Sequence, residues 1–184
     1  MAELKRAFVW AANVGGLAFL WYVLVATNSA LFKGLELNSG ASLIYLPAAL
    51  RVIYALVFRS AGVFAIMLGS YLAFPSEATD GTLDAIARAI LSGIAPLVGI
   101  AMFKKLFTTR PDLADFLPTH LLALALLCAA SNALILNAYL AASGKLLQPL
   151  REIGTIIIGD ITGTAIVLYL TSFVLTFVIS RPRA

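Results

Sequence analysis

The chain has 184 residues, of which 61% are hydrophobic and only 12% charged, with a mean hydropathy of +0.98. Such values exclude an ordinary water-soluble domain and define an integral membrane protein; at about 20 apolar residues per crossing of a ~30 Å hydrocarbon core, the length admits roughly six helices and no fused kinase, cyclase or ATPase domain. The net charge of +4 and pI near 9.4 follow from membrane topology, as set out below, and call for no nucleic-acid partner.

Six apolar stretches read in chain order as 7–31, 43–58, 62–74, 83–103, 116–140 and 153–179. The first follows Lys5 and Arg6, but it contains Asn13, ends in Asn28-Ser29-Ala30 and is too long for a cleaved signal peptide. It reads as a first membrane helix. The second and third are short and joined by Arg59-Ser60-Ala61-Gly62, which predicts a compact helical hairpin. The loop that follows carries Glu77, Asp80 and Asp84, with no Lys or Arg. No low-complexity tract, heptad array or internal repeat interrupts the chain, so residues 1–184 are expected to form a single all-α domain, a polytopic transmembrane helical bundle of about six transmembrane helices.

Basic residues orient this bundle. A cytoplasmic N-terminus puts Lys5, Arg6, Arg59, Lys104, Lys105, Arg110, Arg181 and Arg183 on the inner side and Lys33, Lys145 and Arg151 on the outer side. By the positive-inside rule both the N- and C-termini are expected in the cytoplasm.

The chemistry available is narrow. One cysteine, Cys128, excludes an internal disulfide, and one histidine, His120, excludes a His-rich metal site, so neither a metal nor a cofactor is expected. His120 falls ~5 Å from the cytoplasmic end of the fifth helix and roughly 15 Å in depth from Asp160. No nucleophile, base and orienting acid converge, and the reading is of a protein that is not an enzyme.

Charged groups within apolar helices each ask for a reason, since one costs ~2.5 to 3.5 kcal/mol to insert. Counted from the outer helix ends at 1.5 Å per residue, Arg51 lies roughly 12 Å deep, Arg88 roughly 8 Å, Asp160 roughly 10 Å and Asn132 roughly 12 Å. Asn137 is nearer the surface. Helical spacing puts Pro47, Arg51 and Tyr54 on one face, Arg88, Ser92 and Ala95 on another, and Asp160, Gly163, Thr164 and Val167 on a third. If the faces meet, Asp160 pairs with Arg51 or with Arg88 and one cation is left over. Two readings stand side by side: polar pairing that only locks helices together, or a cavity that holds an anionic or polar ligand. Gly159 and Gly163 form a GxxxG, suited to close approach within the bundle or between two copies in a homo-oligomer.

Four stretches carry a resemblance to a known family. Leu46-Pro47-Ala48-Ala49-Leu50 with Leu56-Val57-Phe58-Arg59, then Val63 to Ala73 with its central Leu68-Gly69, then Ala89 to Phe103 running into Lys104-Lys105-Leu106-Phe107, and finally Gly159-Asp160-Ile161-Thr162-Gly163 together resemble MASE-one, the type-one membrane-associated sensor domain found ahead of bacterial histidine kinases and diguanylate cyclases. The resemblance singles out Pro47, Arg59, Gly69, Gly159, Asp160 and Gly163. It runs from the second helix to the last. Family domains have more spans and an attached output domain; here Tyr45-Leu46 stands where a tryptophan is usual, and the proline after the Gly-Asp helix is missing.

What the resemblance implies is a non-enzymatic sensory or accessory subunit of the bacterial inner membrane, acting through at least one other membrane or signalling protein. Two rivals remain. Substrate-binding S components of energy-coupling vitamin transporters are also small six-helix proteins, and Ala7-x-x-x-Ala11 echoes the small-residue motif by which they meet their coupling subunit. A structural accessory subunit that fills a groove in a larger membrane complex is the other.

Overall fold

The computed structural model describes residues 1–36, 41–74, 81–107, 118–146 and 148–179. Glu77 and Asp80 of the acidic loop, and Arg110, Arg181 and Arg183 among the basic residues that orient the bundle, lie outside the described residues. Six helices form among the described residues: α1 (Ala2–Phe32), α2 (Pro47–Val57), α3 (Arg59–Ala73), α4 (Thr82–Phe107), α5 (Pro118–Ala142) and α6 (Pro149–Ile179). Among the described residues no strand occurs, and pairing is limited to one isolated bridge between Glu36 and Ser42.

Four of the six, α1, α4, α5 and α6, are long and apolar enough to cross a membrane. The other two fall short of a full crossing. With 11 and 15 residues, α2 and α3 reach about 16 and 22 Å at 1.5 Å per residue. Helix α2 also starts later than the apolar run from Leu43 suggests. Residues 43–46 are apolar yet non-helical, and α2 begins only at Pro47, whose missing N–H and fixed φ suit the first helical position.

Helix ends follow from local chemistry. Helices α5 and α6 also open on a proline. Helix α4 carries Asp84 in its first turn and Lys104 and Lys105 in its last, each complementing the helix dipole. Helix α5 ends in a Schellman turn: Gly144 adopts φ 68°, Lys145 N–H donates to the Leu140 carbonyl at 2.8 Å, and Gly144 N–H donates to Ala141 at 3.1 Å. The α2–α3 reversal is tighter than the expected four-residue turn. It occurs at Phe58 and Arg59, with Arg59 left-handed at φ 49°, and Gly62 is required beside it because a Cβ there would overlap the Tyr54 carbonyl.

Packing runs α1 on α3, α3 on α4, α4 on α5 and α5 on α6, with α2 touching all the others; among the described residues α1 and α6 do not meet. Gly69 lets α1 approach α3, since a Cβ would lie 2.7 Å from the Ala18 carbonyl oxygen and from the Trp21 ring. Trp21, Tyr54 and Ile66 fill the core behind it. A second cluster joins Val63, Ile100, Phe103, Leu124 and Cys128. Cys128 is a packing residue there, pressed against Gly99. His120 packs edge-on against Phe103 and Phe107 at the end of the bundle away from Asp160.

Candidate functional site

Gly159 and Gly163 receive not another helix but the non-helical backbone ahead of α2. A Cβ on Gly159 would overlap the carbonyl of Ser42, and one on Gly163 the carbonyl of Tyr45. Residues 41–46 thereby lie flat against α6. Irregular backbone inside a membrane protein is viable only if its polar groups are satisfied, and here the donors from Leu43 onward are accounted for. Leu43 N–H donates to the Leu35 carbonyl, Ile44 to Ser42 Oγ, Tyr45 to the Gly159 carbonyl and Leu46 to Asn28 Oδ1; Ala48 and Ala49 turn back to Tyr45 and Leu46. Pro47 has no N–H to satisfy.

This segment aims α2 so that Pro47, Arg51 and Tyr54 are buried together, as their spacing predicts. Arg51 Nη1 donates to Asp160 Oδ2 at 2.7 Å, with both side chains only 4% exposed. Asn132 Nδ2 donates to the same oxygen at 3.0 Å. Three of the four residues picked from the apolar runs thus converge from α2, α5 and α6. The guanidinium lies over two rings, with Cζ 5.9 Å from the centroid of Trp21 and 5.4 Å from that of Tyr45. Trp21 is held by its Nε1–H to Ser70 Oγ at 3.0 Å, and Ser70 Oγ bonds Ser92 Oγ at 3.3 Å.

Arg88 takes a different partner. Its Nε donates to Asp84 Oδ2 at 2.8 Å, one helical turn back on α4. Asp84 is buried and is also reached by Lys145 Nζ at 2.8 Å and Tyr139 Oη at 2.6 Å, both on Oδ1. The network ties the start of α4 to the end of α5, and the Schellman turn at Gly144 delivers Lys145 to it. Among the described residues the ion pair of Asp160 is with Arg51.

Arg51, Arg88, Asn132 and Asp160 nevertheless share one cavity of about 450 Å³, to which all six helices contribute. Its polar wall adds Glu36, Ser42, Tyr45, Ser70 and Ser92, and Phe74 and Leu136 supply apolar surface. The size lies within the range of small-molecule sites, which run to ~300–1,000 Å³. Sequence reasoning missed Trp21, Tyr45, Asp84 and Asn28. Asp84 stands four residues before Arg88, a pairing distance on a helix, and Asn28 is a polar residue in an apolar run. Trp21 and Tyr45 give no such signal.

The chain matches no family model, no curated protein and no solved structure. The site stands on its geometry: buried, charge-paired, aromatic-flanked and hollow.

Proposed function

We propose that this chain is a non-enzymatic sensory or accessory subunit of the bacterial inner membrane, which takes a small polar ligand into its cavity and acts through a partner membrane or signalling protein. This is the role that resemblance to MASE-one domains implies. The observation that carries the reading is the Arg51–Asp160 pair on the cavity wall. It joins α6 to a helix of 11 residues whose other end reverses at Arg59, so a ligand that loosens or tightens the pair shifts the α2–α3 reversal. Substitution Asp160→Asn tests this. Expected is a protein that inserts normally and still copurifies with its partner from native membranes in mild detergent, but leaves the partner's output unchanged when the medium is varied. A wild-type response retained in the variant removes Asp160 from the mechanism.

A second reading, the S component of an energy-coupling transporter, is favoured by one observation. Ala7 and Ala11 are exposed on α1, away from the rest of the bundle, as a coupling motif requires. An ATP-driven module in the same purification selects that reading.

A further inference from the structure

The cavity also carries information about the charge of what fits it, an inference that rests on the cavity being a ligand site. Four charged side chains line it among the described residues: the guanidiniums of Arg51 and Arg88 and the carboxylates of Glu36 and Asp160. Their formal sum is zero. A bare anion entering this space meets two carboxylates, and a bare cation meets two guanidiniums; in a site of low dielectric, either like-charge approach is costly.

Asp160 directs a single oxygen, Oδ2, at both Arg51 and Asn132, and its Oδ1 accepts no hydrogen bond among the described residues. Arg51 gives Nη1 to Asp160, while its Nε is buried without a partner. One acceptor and one guanidinium donor of the same ion pair thus lack a hydrogen-bond partner among the described residues. Glu36, held by its N–H to the Lys33 carbonyl, adds a carboxylate that makes no ion pair among the described residues. Ser42, Ser70 and Ser92 contribute hydroxyls that donate or accept.

We propose that the cavity binds a small zwitterion, a molecule of amino-acid or dipeptide size bearing one ammonium and one carboxylate, whose carboxylate is held from the guanidinium side and whose ammonium is held by the carboxylates of Glu36 and Asp160. Both charges of the ligand are then matched and the site gains no net charge, which a membrane-embedded cavity favours.

The test uses the purified full chain in nanodiscs with the substitution Trp10→Phe. The chain has two tryptophans, so emission then reports Trp21, which contacts both Arg51 and Ser70. Probes are the proteinogenic L-amino acids and a set of dipeptides. Each binder is then compared with its amine-free acid, its acid-free amine, and glucose as a neutral polyol. Expected is a saturable change in Trp21 emission and a rise of several degrees in melting temperature for at least one zwitterion, with the acid-only and amine-only analogues weaker by about tenfold or more. Glu36→Gln should weaken the zwitterion by about tenfold while binding of the amine-free acid is not weakened, since one repelling carboxylate is gone. A response to the amine-free acid equal to that of the zwitterion overturns this inference and leaves the cavity a ligand site of another class, as does a response to glucose alone. No response to any probe overturns the inference, while the copurification and Asp160→Asn measurements still decide the sensory reading independently.

Discussion

The backbone N–H of Tyr45 donates to the carbonyl oxygen of Gly159 at 3.0 Å, joining an unwound stretch of chain to the middle of a helix. That bond exists because Gly159 and Gly163 present no side chain on the face that Ser42 and Tyr45 cover. Gly159→Ala or Gly163→Ala forces the two apart, and overpacking of this kind costs about 1–3 kcal/mol. Gly154, on the same helix with nothing within 4 Å of a notional Cβ, is the control. Thermal melts in detergent should separate the first two variants from the third; equal melting temperatures would count against this packing.

Leu46 N–H relies on the side chain of Asn28, 18 residues earlier, at 2.9 Å. Asn28→Leu leaves a part-buried donor unmet and should destabilise by about 1 kcal/mol. Asn28→Asp keeps the acceptor oxygen and retains the bond. Hydrogen exchange at Leu46 reads the difference directly: fast in the leucine variant, slow in the wild type.

Breaking a buried ion pair costs more than removing it. Arg51→Met leaves the buried Asp160 carboxylate without its cation, and Asp160→Leu leaves the buried guanidinium without its carboxylate; each is expected to lose about 3–5 kcal/mol. The double variant should lose clearly less than the two singles together. Reversible unfolding in mixed micelles gives all three values, and strict additivity would show that the two groups do not depend on each other.

Gly144 is left-handed at φ 68°, and Gly144→Ala is expected to cost about 1 kcal/mol for that backbone alone. A further loss arises if Lys145 is turned away from Asp84. Comparing Gly144→Ala with and without Lys145→Met separates the two: once Lys145 is gone, only the backbone cost remains.

The long helices and the polar layer are legible in the sequence for one reason. Charge inside an apolar run is conspicuous, and helix rise converts its position to depth, so Arg51, Asn132 and Asp160 can be matched by depth alone. The unwound stretch is not legible because Leu43 to Leu46 are as apolar as a helix, and their partners, Asn28 and Gly159, are remote in the chain. The GxxxG is visible, but its partner is not: spacing reports that something comes close, not whether that neighbour is helical. Arg88 misleads because its depth matches residues on other helices, while its partner Asp84 lies one turn away on its own.

The shortness of α2 and α3 has a consequence for biogenesis. The pair leaves the cavity end of the bundle at Pro47 and returns to it at Ala73, so it adds nothing to the parity of crossings, however deep its tip reaches. Whether the insertion machinery handles four segments or six, the number is even, and tags on the two ends of this chain are expected to report the same compartment. A variant that lengthened or deleted the α2–α3 tip would change what the bundle encloses without inverting any helix after it.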